Sequence, residues 1–378
     1  MKKKLYVVYH YFAHYRHPVV TSILNHQSEI DVFFVADEIS NEPALLTMDF
    51  SKIDNFSKVE NIWFGKWLWQ NNLFKLLRKS SPDYIIFLGQ FSFISTWFCA
   101  LYFRMLGKKI FFWGHGAYGN EKGLKKLIRK VFNLIPHKHL VYGHYAKDIL
   151  VSHGIDADDV VVIYNSLDYR ANKTILNDLQ TNPSSKGDIK KRLFTDFHER
   201  PLGIFVGRLT PIKNLDMIIH CIKILNARGC YLNFLFVGDG PTRSALEDLV
   251  KKEKLDSQIK FYGSCHDETI IGGLIYSSDL CISPGNVGLT AMHALSYGTP
   301  VITHNNFPLQ MPEFEAIIPG VNGDFFEFNN VDSLVSVVEK WIDYSSKAEF
   351  DIYQNSIDVI DKLYNPDKQA ELIFSALD

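Results

Sequence analysis

The sequence predicts an α/β protein built from two doubly wound domains, and three observations carry that reading. Apolar runs of strand length alternate with helical patterns from end to end. They fall into two successive series. The chain has 378 residues, about two to three times the usual size of one domain. With 47% hydrophobic and 22% charged residues it can bury a sizeable core, which excludes general disorder.

In the first series the expected strands are Leu5–Tyr9, Asp31–Val35, Tyr84–Leu88, Lys109–Trp113, His139–Tyr142 and Val160–Tyr164. The second series holds Leu202–Val206, Asn233–Val237, Ile259–Tyr262, Leu280–Ser283 and Pro300–Thr303. The polar run Asn182–Asp188 reads as a loop near the domain junction. Met1-Lys-Lys-Lys before Leu5-Tyr-Val-Val imitates a signal peptide, but His10, His14 and Arg16 interrupt the apolar run, so a first buried strand is expected. Tyr84–Phe103 has no formal charge over 20 residues, long enough to span a bilayer. Gly89-Gln90, Ser92, Ser95 and Thr96 divide it into a strand, a polar turn and a helix ending near Leu106, so a packed β-loop-α unit is the reading.

The formal net charge of −2 argues against a dedicated nucleic-acid binder, yet it conceals a division. Residues 1–140 carry 19 Lys and Arg against 10 Asp and Glu, a net of +9, which leaves −11 for the rest. Lobes of opposite charge point to different partners. Five cysteines, odd in number and without C-x-x-C spacing, give neither a disulfide framework nor a zinc site and fit a reducing cytoplasm. Lys122–Lys138 reads as a basic amphipathic helix, with Leu124, Leu127, Ile128 and Val131 at helical spacing among cations. Two readings stand for it: a core-packed helix with a solvated basic face, or a helix lying on an anionic leaflet. Trp63 to Trp69, followed by Lys75, Arg78 and Lys79, adds aromatics suited to the same interface, so residues 63–79 and 122–138 are the candidates for peripheral membrane contact.

Gly114-His-Gly-Ala-Tyr-Gly119 fits G-x-G-x-x-G after a strand, but a dinucleotide site also needs an acidic residue about 20 positions on. No Asp or Glu occurs between Lys122 and Lys147, which weighs against a nicotinamide cofactor. His115 still sits where a strand-end turn would face a ligand. His10, His14 and His17 have metal-like spacing without a carboxylate, so no metal is expected. The loop His10–Pro18 leaves its strand at the carboxyl end, where Tyr11, Tyr15 and Arg16 would receive a polar substrate. In the second half, Gly207-Arg208 with Lys213 five residues on follows a strand and opens a helix. That spacing suits a diphosphate: a bidentate guanidinium, a point-charge ammonium and aligned backbone dipoles. Ser283-Pro-Gly-Asn-Val-Gly288-Leu-Thr reads as strand, glycine loop and helix start. Gly285 and Gly288 would let backbone approach a ligand, with Asn286 and Thr290 as side-chain donors.

With these residues the chain resembles the retaining glycosyltransferases of family 4, most specifically from Gly207 to Gly323. The likeness rests on Gly207, Arg208 and Lys213, on Val237-Gly-Asp-Gly-Pro241, on Phe261-Tyr-Gly-Ser with Leu274–Leu280, and on Ala294 to Ile302. It implies the GT-B architecture: two Rossmann-like doubly wound domains facing across a cleft. An acceptor domain would span 1–168, with a C-terminal crossover helix at about 350–378, and a donor domain 169–349. It implies retention without a metal, from a UDP- or GDP-sugar co-substrate to a glycan or lipid-linked acceptor, in cell-surface polysaccharide or glycoconjugate assembly. UDP is slightly preferred. Arg208, Lys213 and His115 would be catalytic. Gly207, Tyr262, Gly285, Asn286, Gly288, Leu289, Thr290, His293, Glu313 and Glu315 would line the donor site, and His14, Tyr15, Arg16 and Tyr118 the acceptor site. The family's Glu-x7-Glu is replaced by Gly285 and His293. His293 can still serve a ribose hydroxyl; Gly285 cannot serve the sugar, and Glu313 and Glu315 are alternative carboxylates. A nucleotide-sugar epimerase and a non-catalytic sugar-nucleotide-binding partner of a membrane assembly complex remain as alternatives.

Overall fold

The apolar runs of both halves pair side by side as parallel strands. In the computed structural model, which describes residues 2–26, 30–40, 46–51, 53–119, 121, 123–181 and 184–377, the chain forms two units. One comprises Met1–Asp168 with Asn365–Asp378, the other Tyr169–Tyr364.

The first unit contributes strands β1 (Lys3–Val8), β2 (Ile30–Ala36), β3 (Phe56–Lys58), β4 (Glu60–Phe64), β5 (Trp67–Asn71), β6 (Tyr84–Leu88), β7 (Lys109–Gly114), β8 (Lys138–Val141) and β9 (Val160–Val162). Seven make a parallel sheet in the order β3-β2-β1-β6-β7-β8-β9. Its centre is apolar on both faces because helices cover both: Val7 and Ile86 face one cluster, Val8 and Phe87 the other. Strand order reverses between β1 and β6, so the loops leaving those strands open a crevice at their carboxyl ends. The helix Pro366–Ser375 seals the unit, with Ala370 and Ile373 fully buried and Gln369 bonded to Ser166 and to the Tyr164 carbonyl.

The second unit holds β10 (Leu202–Val206), β11 (Asn233–Val237), β12 (Ile259–Gly263), β13 (Leu280–Ser283), β14 (Val301–His304) and β15 (Gly323–Phe326). All are parallel, in the order β12-β11-β10-β13-β14-β15. Here the reversal lies between β10 and β13, which brings the Gly207 and Gly285 loops together.

Tyr84–Phe103 is the expected strand, turn and helix (Ile94–Met105), and no described helix is long and apolar enough to cross a membrane. Three expectations need correction, and one segment forms an element that was not anticipated. The run Asn182–Asp188 is not a junction loop: Asn182 and Pro183 lie outside the described residues, and Ser184–Leu193 is a helix within the second unit. Packing overrides its polar composition, since Ile189 lies over Gly273 and Lys190 pairs with Asp279 at 2.6 Å. The return to the first unit falls at Asn365 rather than near 350, because Val331–Lys362 is one helix whose Trp341 and Ile352 enter the second core. Trp63–Trp69 belongs to an antiparallel hairpin, β4–β5. The basic helix covers Gly123–Asn133 and stops short of Lys138, which begins β8; Lys122 lies outside the described residues. Its Leu124, Leu127 and Val131 are exposed, while Arg129 and Phe132 turn inward, so the core-packed reading of its leucine stripe does not hold.

Candidate functional site

In the second unit the site is assembled from backbone loops that only glycine can build. A Cβ on Gly238 would stand 2.0 Å from the Gly207 carbonyl oxygen, and one on Gly240 2.3 Å from that of Leu209, so the two loops lie flush. Leu209 is fully buried and anchors its loop, which leaves Arg208 exposed. The short turn Pro211–Lys213 then presents Lys213, whose Nζ donates to the Asn286 carbonyl at 2.5 Å and to its Oδ1 at 2.7 Å. Burial lowers the Lys213 ammonium to about 8, with Glu313 and Cys281 opposing the shift. A desolvated ammonium held by neutral oxygens is poised to gain from an anion.

Gly285 carries a packing constraint that the sequence does not show. A Cβ there would meet the Ile212 carbonyl oxygen at 2.1 Å and the Lys213 Cα at 2.5 Å. The close approach it permits is to the chain's own backbone, so the Lys213 turn occupies the space a Glu side chain would need. Gly288, at φ +52°, precedes the helix Leu289–Ser296. The Val287 N–H is fixed by Gln310 at 2.8 Å, and the Thr290 hydroxyl donates to the Val206 carbonyl at 3.0 Å. In this arrangement the Thr290 hydroxyl proton is engaged and its oxygen lone pairs are left to accept.

His293 Nε2 lies 2.8 Å from Glu268 Oε1, which also accepts from the Tyr297 hydroxyl at 2.7 Å. Burial pushes the Glu268 carboxyl up, but His293 and Tyr297 outweigh it and hold it below the usual range. A carboxylate thus stands against His293 from 25 residues away. No motif marks Glu268; it follows Asp267, the residue whose side chain caps the helix Glu268–Tyr276. Tyr262 is exposed at the end of β12. Of the two replacement carboxylates, Glu313 is buried and acts electrostatically on Lys213, whereas Glu315 is half-buried on the same turn.

In the first unit a cavity of about 310 Å³ opens at the reversal between β1 and β6. Tyr15, Arg16, His115 and Tyr118 all line it. His14 does not: it is exposed on the turn that precedes the helix His17–Asn25. Arg16 lies among four rings, with its guanidinium carbon 5.4–6.0 Å from the centroids of Tyr142, Trp113, Tyr15 and Tyr9. Its Nη2 donates to the Tyr142 hydroxyl at 2.6 Å. Burial, reinforced by Arg16 and Arg129, pulls His115 down to about 4, so it is neutral at pH 7. Its ring stacks on Tyr118 at 5.4 Å.

Sequence reasoning missed Tyr9, His10, Tyr142 and the buried pair of Arg129 and Glu121 at 3.0 Å on this side. Arg129 was one of the interleaved cations of an amphipathic pattern, and only burial distinguishes it. A second cavity of about 890 Å³ lies beside the first, between the β4–β5 tip and the helix Gly123–Asn133. Among the described residues no three His, Cys, Asp or Glu gather as a metal site. His10, the first of the three spaced histidines, lines the cavity, whereas His14 and His17 are exposed.

Two parallel sheets, each with a reversal of strand order, are the arrangement found in known proteins. Residues 189–357 match the family model for glycosyl transferases group 1. This segment covers β10 to β15 and every donor-side residue named above. The chain is 30% identical over 102 residues to a GDP-mannose-dependent α-(1-6)-phosphatidylinositol dimannoside mannosyltransferase of Mycobacterium tuberculosis, a match covering 26% of each chain. It thus spans about a quarter of that curated relative. Among solved structures, a lipopolysaccharide outer core galactosyltransferase superposes with a TM-score of 0.71 at 16% identity over 99% of both chains. An Anabaena protein, HepE, solved with UDP, gives 0.70 at 14% identity, also over 99% of both. These likenesses show the GT-B fold, and the group 1 match lies within its second unit.

Proposed function

We propose that this chain transfers a sugar from a nucleoside-diphosphate donor to a glycan or lipid-linked acceptor, with retention and without a metal. The observation that carries the reading is Lys213. Its ammonium is half-buried at the reversal of the second sheet, held by Asn286 and placed five residues after the exposed Arg208. Arg208 and Lys213 would stabilise the charge that develops on the departing diphosphate, where stabilisation raises the rate most. Gly207, Gly288 and Leu289 would shape the phosphate end, with Thr290 as an acceptor. His293 and Glu268 would hold the ribose and Tyr262 the base. Glu313, near Lys213, is the carboxylate favoured for the donor sugar.

The first unit would take the acceptor on Tyr15, Arg16 and Tyr118, with His115 close to the reacting sugar. The exposed Leu124, Leu127 and Val131 among Lys125, Lys126 and Lys130 favour contact with an anionic membrane face, as a lipid-linked acceptor requires. UDP is the preferred nucleotide, and the solved HepE relative holds UDP.

The test is a titration of UDP and GDP against wild type and the Arg208→Ala, Lys213→Ala double variant, followed by turnover with the nucleotide sugar selected. Two charge-assisted contacts of about 1.5–3 kcal/mol each predict a loss of roughly 100-fold or more in nucleotide affinity. Near wild-type transfer by the double variant would end the proposal.

A further inference from the structure

On the acceptor side, the proposed reaction leaves the charge of Arg16 unexplained. Its Nη1 is closed off from water and has no hydrogen-bond partner. Among the described residues no carboxylate lies within ion-pair distance of it. Among the described residues the cavity lining carries no Asp or Glu. Glu121 is already engaged with Arg129, and also accepts the N–H groups of Tyr118 and Gly119. The rings around Arg16 supply quadrupole attraction but no counter-charge. Burial holds the Tyr9 phenol well above its ordinary value, so Tyr9 does not neutralise the guanidinium as a phenolate. A guanidinium remains protonated under these conditions, and enclosing it without an anion is expensive.

The surrounding groups are those a sugar ring would use. The Nδ1 atoms of His10 and His115 are buried without partners, the Tyr9 hydroxyl lies beside that of Tyr142, and both histidines are driven to about 4 by burial. Neutral imidazoles can donate or accept toward hydroxyls. The stacked His115 and Tyr118 rings offer a flat wall. At about 310 Å³ the cavity lies at the small end of the range of roughly 300–1,000 Å³ for ligand sites. That volume suits one sugar residue bearing an acidic group better than a whole nucleotide sugar.

We infer that this cavity is an anion subsite for an acidic acceptor: Arg16 grips the carboxylate or phosphate of the receiving sugar, and Tyr9, His10 and His115 bond its hydroxyls. The inference deepens the proposed function, because it rests on the first unit being the acceptor side. Two NH groups of Arg16 match a carboxylate or phosphate in fork geometry. A neutral acceptor could offer Nη1 a hydroxyl oxygen but no counter-charge, so the site discriminates by charge.

The experiment is calorimetric titration of the full chain with D-glucuronate, glucose 6-phosphate, D-glucose and UDP. Wild type is compared with Arg16→Gln, Arg16→Lys and Tyr142→Phe. Wild type is expected to bind at least one acidic sugar about 10- to 100-fold more tightly than glucose. Arg16→Gln should erase that preference while leaving glucose within about twofold; Arg16→Lys should retain part of it. Tyr142→Phe, which keeps the ring and the cation, frees Nη2 and should reduce the preference only a few-fold. Should Arg16→Gln fail to fold, the lysine and phenylalanine variants carry the comparison. Equal affinity for all three sugars, no binding of any of them, or an undiminished preference without Arg16 would overturn the subsite. If Arg16→Gln weakens UDP instead, the anion is the donor's diphosphate and the acceptor assignment falls. Loss of UDP binding in wild type with the acid preference intact would count against the donor reading alone.

Discussion

Replacing Gly285 separates two opposite expectations. By the family pattern, Gly285→Glu restores a missing carboxylate and should improve donor use. By the geometry it does the reverse, and even Gly285→Ala is harmful. The added Cβ would fall 2.1 Å from the Ile212 carbonyl oxygen, 2.5 Å from the Lys213 Cα and 2.8 Å from its carbonyl carbon. All three are backbone atoms, so no rotamer change relieves the clash, and the Pro211–Lys213 turn must move. Overpacking of this kind costs about 1–3 kcal/mol or more. For a unit of this size that is a fall of about 2–12 °C in Tm. Because the displaced turn carries Lys213, UDP affinity should fall alongside, by about tenfold or more, as when a charge-assisted contact is lost. Gly187 supplies a control in the same unit: it sits in the helix Ser184–Leu193 with nothing within 4 Å of its Cβ position. Gly187→Ala should raise stability by about 0.4–1 kcal/mol. Differential scanning calorimetry and UDP titration on the three variants decide the matter. A Gly285→Ala protein with unchanged Tm and UDP affinity would refute the packing argument, and a more active Gly285→Glu would reinstate the family pattern.

Three further predictions concern the same sites. Since Lys213 in the free protein titrates at about 8 rather than 10.5, nucleotide affinity should be flat below pH 7 and fall as pH rises through 8. The loss at pH 9 relative to pH 7 should be about tenfold, and Lys213→Met should abolish the dependence in a calorimetric pH series. Glu268→Gln removes the charge that orients His293 and Tyr297, so UDP should bind roughly tenfold more weakly while pyrophosphate, lacking a ribose, is unaffected. Changing Lys125, Lys126 and Lys130 to Gln should reduce partition onto phosphatidylserine vesicles by up to about 100-fold at low salt, at about 1 kcal/mol per cation. Sedimentation of neutral and anionic vesicles alike by wild type would contradict the electrostatic part.

The sequence by itself determined the two-sheet fold and the cationic loop of the second unit. Both are local signals. A strand buried on both faces must be apolar almost throughout, as Ile85–Phe87 and Phe234–Val237 are, and only tight turns demand glycine at Gly207, Gly238 and Gly240. Arg208 and Lys213 were legible for the same reason, standing together in one short segment after a strand. Edge elements were harder to read: β3 and β15 have only three and four residues, too few for a pattern to stand out.

Only the tertiary structure decided which polar residues are buried and whom they meet. Glu268 reaches His293 across 25 positions, and Gln369 reaches Ser166 across 203. The Cβ side of Gly285 proved to be filled by the chain's own Lys213 turn, since the space beside a glycine is set by residues far away in the chain. Arg16 is the clearest case. In the sequence it is one of 40 basic residues. In the fold, four rings from three segments enclose it and among the described residues no carboxylate pairs with it, because burial and charge pairing are properties of the packed chain.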